Sequence, residues 1–436
     1  MKNILFLFSL IPLCMFSQHS INGTFSPATD YTYAFLYHAT PTSTDYVDRA
    51  QIDAEGNFSI AMDSKISSGI YKIVYALPPE ENNFNFIYNG KESVTLTFST
   101  EKGLTFTDSK ENKLWSSYTN SMEMINQTIS NYYTQESTDK KAFKDIFKTL
   151  KDTQLAFEET AKGTLASTFI KANAPYIPNE YEDLSTYSSN LKRTFLDHVD
   201  FSNYLLQSSD FLIDRVLAYV FGMTANTSNE VYKNDVDTVA SKIPDGELEL
   251  KTMLLQMIWN RFKSMENPEV ANYIADRYLI ALSKATNQNA LTDQLISYKN
   301  NAIGKIAQNF DLPITKDGVT TTSTLHELDV ANQYLIIFWS STCGHCIDEL
   351  PKVKTLMATK PDIKVIAIGL EDDEFNWKDA ISHFPDFIHV LGLGKWDNPI
   401  SNAYGVSATP TYLLLDKNKT IIAKPNDYEA LEKAMN

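Results

Sequence analysis

Two cysteines lie close together near the C-terminal end of the sequence, in FWSSTCGHCIDELPKV, residues 338–353. Cys343 follows a hydrophobic run and begins a stretch with the pattern of a helix, where unpaired N–H groups and the helix dipole stabilise a thiolate. Protonated His345 would add positive charge beside it. Cys346 follows one turn later, where it could resolve a mixed disulfide. The pattern predicts a redox-active dithiol that exchanges disulfides.

Three other interpretations of the cysteine pair are weaker. A structural zinc site needs four ligands, but the sequence has no second pair and its other histidines are scattered. A c-type haem would need His directly after the second cysteine, where Ile347 stands. A purely structural disulfide across so short a loop would remove little entropy from the unfolded chain. We therefore expect no metal and no cofactor other than the redox-active disulfide.

The segments around the pair predict an α/β layer. LIIFW (335–339) and IKVIAIG (363–369) are typical of buried strands, and helices are predicted from Cys343 to about residue 359 and near 375–382. Further strands and a final helix from Asp427 complete the pattern. Strand, helix, strand and then a hairpin indicate a mixed sheet covered by helices.

Other polar groups near this region give weaker signals. The acidic run EDDE (371–374) follows a predicted strand whose end should lie at the active-site edge, and a solvated loop is favoured there over a cation site. His326, His383 and His389 lack partners at a recognisable spacing, so structural or surface roles are expected. GLG (392–394) lacks the context of a nucleotide site.

Two long segments precede the predicted α/β layer. From Ile21 to about Phe106, alternating apolar residues and turn signals predict six or seven short strands in an antiparallel sandwich. From about Ser109 to Asn301 the apolar period is helical. On one predicted helix the apolar residues Phe143, Ile146, Phe147 and Leu150 share a single face.

The first seventeen residues have the pattern of a secretory signal peptide: Lys2, an apolar stretch and then Ser17. The stretch is too short to span a bilayer as a helix. Cys14 could instead be lipidated, but bulky Leu13 precedes it. A periplasmic or otherwise extracytoplasmic location is expected, where disulfides can form. The formal net charge of -16 disfavours nucleic acids and anionic membranes as partners, and no segment predicts an integral membrane protein.

The stretch from about Ile303 to Asn436 resembles the thioredoxin fold of the TlpA/ResA-like branch of exported thiol-disulfide oxidoreductases. IIFWSSTCGHCIDELP is similar to the active site of that branch, and GVSATPTYLLLDKNKTIIAK to its proline loop and closing hairpin. The segment from Ile21 resembles the small all-β domain that opens such proteins in Bacteroidetes-type bacteria. The predicted fold class is multidomain α+β, with a β-sandwich at 18–107, a helical domain at 108–301 and an α/β thioredoxin-like domain at 302–436.

The resemblance implies roles for further residues. Pro410, after Thr409, should be a cis-proline opposite the cysteines, and the backbone before it should pair with substrate. Trp339, at the end of its strand, is expected to contribute to substrate binding. Pro351 matches a structural kink in the active-site helix.

One further carry-over and two departures concern the surroundings of the dithiol. Glu349 matches a glutamate near the dithiol and could carry the Cys346 proton, with a solvated helix carboxylate as the alternative. Ile337 stands where thioredoxin has a buried aspartate, and Thr342 replaces the usual tryptophan.

The direction of electron flow stays open. The dipeptide Gly344-His345 is that of protein disulfide isomerases, with a potential of about -180 mV, against about -270 mV for thioredoxin. The resemblance instead implies a reductase supplied by a membrane electron donor, and we favour a reductase that acts on protein thiols and disulfides. The alternative is a surface binding or assembly protein in which the N-terminal regions recognise the partner. A peroxidase is disfavoured because its reactive cysteine normally lacks a CxxC motif.

Overall fold

The computed structural model describes residues 19–63, 65–223, 227–316 and 318–435. The predicted signal peptide and Cys14 lie outside the described residues. The chain divides into two compact units, one up to Ile258 and one from Trp259 onward. The predicted domain boundaries stay predictions.

The first unit opens with strands arranged in two four-stranded sheets, with orders β4-β1-β7-β8 and β3-β2-β5-β6. The strands are β1 (His19–Ser26), β2 (Tyr33–Ala39), β3 (Thr44–Gln51), β4 (Asn57–Met62), β5 (Gly69–Val74), β6 (Asn83–Tyr88), β7 (Val94–Ser99) and β8 (Gly103–Asp108). Buried side chains of both sheets, such as Ile21 and Leu36, pack in one core. The predicted all-β region is confirmed.

The pairing of β1 with β7 differs from the antiparallel sandwich that the sequence predicts. These two strands run parallel, with Ile21 opposite Val94. They are far apart in the chain, so no hairpin constrains their relative direction. The described part of this region also has eight strands rather than six or seven.

Helices follow these sheets, as the 3.6-residue period predicts. They are α1 (Lys110–Thr134), α2 (Lys140–Thr160), α3 (Ala166–Ala172), α4 (Leu184–Thr194), α5 (Tyr204–Gln207), α6 (Asp210–Leu217), α7 (Asn229–Lys242) and α8 (Leu248–Ser264). On α2, Phe143, Phe147 and Leu150 are buried, as their shared face predicts. A π-helical turn, Ala218–Gly222, extends α6.

The second unit contains the predicted α/β layer and the helices before it. Its helices are α9 (Pro268–Ile274), α10 (Ile280–Ala285), α11 (Asn289–Asn300), α12 (Gly344–Met357), α13 (Phe375–Ile381), α14 (Pro399–Tyr404) and α15 (Tyr428–Ala434). Its strands are β9 (Asp311–Lys316), β10 (Val319–Thr324), β11 (Gln333–Trp339), β12 (Ile363–Glu371), β13 (Ile388–Leu393), β14 (Thr411–Asp416) and β15 (Ile421–Ala423). A π-helical turn, Ala275–Leu279, connects α9 with α10.

A five-stranded sheet of order β13-β12-β11-β14-β15 positions the cysteine pair. Strand β11 lies at its centre, parallel to β12 and antiparallel to β14. Because side chains alternate along a strand, Ile337 packs in the same core as Cys346, and Phe338 packs in the core on the opposite face. Burial on both faces explains the uninterrupted apolar run of this strand. The predicted fold class is confirmed.

No helix in the described ranges is both long and apolar enough to cross a membrane.

Candidate dithiol site

The two cysteines form a disulfide at the start of α12, with their Cα atoms 5.2 Å apart. Cys343 is the N-cap residue, and the backbone N–H of Cys346 donates to its sulfur at 3.2 Å. Cys343 is half-buried, whereas Cys346 is 0% exposed. In the reduced form, the N–H groups of the first helical turn would stabilise a thiolate on Cys343. Cys343 is therefore the sulfur that a partner can reach, and Cys346 is the protected one.

The proline loop faces this disulfide. The Thr409–Pro410 peptide bond is cis, as the sequence predicts. The carbonyl oxygen of Thr409 lies 3.4 Å from the sulfur of Cys343, although the two residues are 66 positions apart in the chain. Both loop residues are half-buried. The site therefore brings together Cys343, Cys346, Thr409 and Pro410.

Glu349 has a specific partner in the core. Its carboxylate accepts a hydrogen bond of 2.6 Å from the hydroxyl of Tyr412, which is buried in the same cluster as Cys346. Burial, and then the bond to Glu349, raise the pKa of Tyr412, so its phenol stays protonated and donates. Glu349 lies three residues after Cys346, on the same side of α12. The side chain is half-buried rather than fully solvated, and its role as a proton carrier stays a prediction.

Glu371 is a residue of the site that the sequence analysis missed. It ends β12 and is 3% exposed, where a solvated acidic loop was expected. Its carboxylate accepts from the backbone N–H of Ser341 at 2.5 Å, from the Ser341 hydroxyl at 3.0 Å and from the Ser340 hydroxyl at 3.2 Å. The Ser340 carbonyl in turn accepts from the Cys343 N–H at 3.1 Å. A buried carboxylate therefore holds the turn that carries Cys343.

Two other acids of this run form local ion pairs. Asp372 pairs with Lys395 at 2.5 Å, and Glu374 pairs with Lys378 at 2.7 Å along α13. Within the described ranges, no group of three or more His, Cys, Asp and Glu side chains is arranged to hold a metal ion.

A small cavity of about 190 Å³ gives access to Cys343. It is lined by Ser340, Thr342, Cys343, Leu370, Lys395, Trp396 and Thr409. Trp396 is 46% exposed, and no sequence pattern predicted that it lies beside Cys343. Ile347, directly after Cys346, is 53% exposed. A partner that approaches Cys343 would meet apolar as well as polar groups.

Among the remaining predicted residues, Trp339 lies where its predicted role did not require it. Trp339 is 1% exposed and packs in the core with Cys346, so in this conformation a partner cannot touch it. This position does not support its predicted role in substrate binding. Gly344 and His345 are exposed at the start of α12, beside the disulfide. Pro351 lies within α12, and Ile337 is fully buried, as expected.

Residues 332–421 match the model of a family described as thioredoxin-like. The chain contains a thioredoxin-like domain. The matched residues include the cysteine pair, Glu371 and the cis-proline. This domain is of the thiol-disulfide oxidoreductase-like kind, and it contains the Cys343–Cys346 disulfide. No curated protein matches the chain.

Solved structures also resemble the chain over part of its length. The thioredoxin domain of a thiol-disulfide oxidoreductase from Bacteroides vulgatus is 26% identical, with 31% of this chain and 99% of that chain covered and a TM-score of 0.26. A domain of a possible thiol-disulfide isomerase from Cytophaga hutchinsonii is 31% identical, with 31% and 90% covered and a TM-score of 0.26. A thioredoxin-like protein from Bacteroides caccae is 18% identical, with 60% and 96% covered and a TM-score of 0.33.

Proposed function

We propose that this protein is an exported thiol-disulfide oxidoreductase of the TlpA/ResA-like type that reduces disulfides in partner proteins. One observation carries the proposal. The disulfide joins a half-exposed N-cap cysteine to a fully buried one, and the exposed sulfur lies 3.4 Å from the carbonyl oxygen before a cis-proline. This arrangement separates an attacking sulfur from a resolving sulfur beside backbone that can pair with a partner strand.

The reaction proceeds in two exchanges. The Cys343 thiolate attacks one sulfur of a partner disulfide, forms a mixed disulfide and releases the other partner sulfur as a thiolate. Cys346 then loses its proton and attacks the Cys343 sulfur, which releases the second partner thiolate. The partner gains two electrons, one proton that originates from Cys346 and one proton from solvent, and the Cys343–Cys346 disulfide forms. A dithiol donor, which we place at the membrane, restores the reduced pair by the reverse exchange.

Neighbouring groups support separate parts of this cycle. The Thr409 carbonyl and the cis-Pro410 turn offer backbone to the partner strand. Glu349 is the group proposed to accept the Cys346 proton, and the hydrogen bond from the Tyr412 hydroxyl fixes the position of its carboxylate. His345, exposed beside Cys343, tunes the reduction potential. No cofactor is required, because the disulfide itself carries the electrons.

The proposed location rests on the sequence of residues 1–17. A cleaved signal peptide would leave Cys343 and Cys346 as the only cysteines of the mature chain. In an extracytoplasmic compartment this pair could not mispair with another cysteine of the same chain.

Insulin reduction by the mature protein in dithiothreitol tests the proposal. We expect Cys343→Ser to abolish turnover and Cys346→Ser to accumulate a mixed disulfide, visible on a non-reducing gel, because only the buried sulfur resolves it. Full activity in both variants would overturn the mechanism. The potential, from titration in thiol buffers, tests the direction: a value near about -270 mV supports a reductase, and one near about -180 mV supports an oxidant or isomerase.

A further inference from the structure

A second cavity, in the unit that starts at Trp259, adjoins the proline loop. Its volume is about 170 Å³, and residues 405–408, which lead into Thr409 and Pro410, form one of its walls. The other walls include Lys263 at the end of α8, Tyr298 on α11 and Lys424 just after β15. These side chains take no part in the proposed exchange reaction.

Two lysines line this cavity, and none of its lining residues is acidic. Lys263 and Lys424 are half-buried, and across the described ranges neither makes an ion pair or a side-chain hydrogen bond. Each ammonium instead lies over an aromatic ring, Lys263 at 5.7 Å from the Trp259 centroid and Lys424 at 6.0 Å from the Tyr298 centroid. The nearby acid Glu266 accepts a hydrogen bond from the amide of Asn426.

The positive charges of the two lysines repel each other. Burial, and then repulsion from Lys263, lower the pKa of Lys424. A chain with a formal net charge of -16 has a large excess of acids, yet none of them lines this cavity. An anion placed between the two ammonium groups would remove their mutual repulsion.

The cavity is connected to the dithiol through the proline loop. At the end of α11, the Ser297 hydroxyl and the side-chain amide of Asn301, the residue after the helix, donate to the Ala403 carbonyl at 3.1 Å and 2.8 Å, which fixes α14. The chain then turns at Gly405, where φ is +65°. A Cβ atom added to this residue would lie 2.8 Å from the Ser297 hydroxyl oxygen, so the position requires glycine. The next residues line the cavity and continue to Thr409.

We propose that this cavity binds a carboxylate carried by the partner polypeptide, an Asp or Glu side chain within a few residues of the partner's reactive cysteine. The inference rests on the proposed function, since the partner strand must lie beside Thr409. A strand rises about 3.3 Å per residue, so a side chain near the cysteine can reach the residues next to this loop. Both ammonium groups and the Tyr298 hydroxyl can donate to a carboxylate. A free oxyanion such as phosphate shares this chemistry.

A pair of disulfide peptides that differ only in a Glu or a Gln near the cysteine tests this specificity. We expect the reduced wild-type protein to favour the Glu peptide in kcat/KM by about tenfold, the size of one charge-assisted hydrogen bond. The double variant Lys263→Met with Lys424→Met should lose this preference and keep its rate on the Gln peptide. Lys417→Met, at the exposed β14–β15 turn, removes a lysine from the same unit and should retain the preference.

A second measurement separates the sources of the anion. Backbone NMR shifts of Ser407 and Ala408 are followed during titration with acetate and with phosphate, in the wild type and in the double variant. Shifts in the wild type alone, together with equal rates on the two peptides, would mean that the site takes a free oxyanion, and the partner carboxylate would be refuted. A preference that Lys417→Met reduces equally would also refute it, because the effect would be diffuse charge. If the wild type reduced neither peptide, the proposed function would fail, and the NMR titration would still report on the anion site.

Discussion

Replacing Glu371 with Gln tests how a buried carboxylate positions the active-site turn. The carboxylate accepts three hydrogen bonds, from the Ser341 N–H, the Ser341 hydroxyl and the Ser340 hydroxyl. Ser340 in turn accepts from the backbone N–H of Thr342 at 3.3 Å and, through its carbonyl, from that of Cys343 at 3.1 Å. Loss of the charge at Glu371 should therefore loosen the turn up to Cys343.

The magnitude follows from the three bonds. A hydrogen bond to a charged group contributes about 1.5–3 kcal/mol, and a neutral one about 0.5–1.5 kcal/mol. Gln can keep all three contacts as neutral bonds, because its oxygen can face the Ser341 N–H and its amide can donate to the two hydroxyls. Each bond then loses about 1–1.5 kcal/mol, so we expect Glu371→Gln to lower the free energy of unfolding by about 3–4.5 kcal/mol. Loss of a nearby negative charge should also lower the pKa of the Cys343 thiol.

Two assays check both parts of this prediction. Urea denaturation, with hydrogen exchange of the peptide around residues 335–346, reports stability, and the pH dependence of Cys343 alkylation reports its pKa. Asp372→Asn is the matched control, because it removes the neighbouring, largely exposed carboxylate that pairs with Lys395. The control should change stability by less than about 0.5 kcal/mol. Equal effects of the two substitutions, or a raised Cys343 pKa in Glu371→Gln, would refute the reasoning.

Two further predictions concern groups packed on the same sheet. Tyr412→Phe keeps the ring but removes the donor to Glu349, so we expect a loss of about 1 kcal/mol in urea denaturation and slower release of the mixed disulfide; unchanged values would contradict both roles. Burial lowers the pKa of His389, whose Nε2 bonds the Phe384 carbonyl while its buried Nδ1 lacks a partner in the described structure. Because the pKa of His389 is lower in the folded state than in the unfolded state, neutral His389 contributes its full stability above the unfolded-state pKa of about 6.5. This contribution is lost as the pH falls below that value. The unfolding free energy should therefore fall less between about pH 7 and about pH 5 in His389→Gln than in the wild type, and equal slopes would exclude this role.

The elements around the dithiol could be predicted because their signals are local. The predicted start of the last helix, Asp427, is its N-cap and accepts from Ala430 N–H at 2.7 Å. Strand β12 was expected to end at residue 369, but it continues to Glu371. That difference in one boundary explains why Glu371 was assigned to a solvated loop. The acid lies on the strand end next to β11, where the Ser340–Ser341 turn supplies donors.

Other features depend on contacts between distant residues. The Tyr412–Glu349 bond joins residues 63 positions apart, and no local pattern indicates it. The position of Trp339, by contrast, follows from the two-residue period of β11. Ile337 packs in the core beneath α12, so Trp339, two residues later, must point the same way. The sequence predicted that Trp339 lies near the site, but the alternation of side chains along β11 places its ring in the core.

The surroundings of Cys343 explain why the Gly344-His345 dipeptide alone does not determine the potential. The helix N-terminus and the Cys346 N–H stabilise a thiolate, which favours the reduced form and a higher potential. The Thr409 carbonyl oxygen, 3.4 Å from the sulfur, and the Glu371 carboxylate behind the turn act in the opposite direction. Both oxygens destabilise a thiolate and so make the reduced pair a better electron donor. These two sets of groups shift the potential in opposite directions, so the titration in thiol buffers, and not the dipeptide, decides between a reductase and an oxidant or isomerase.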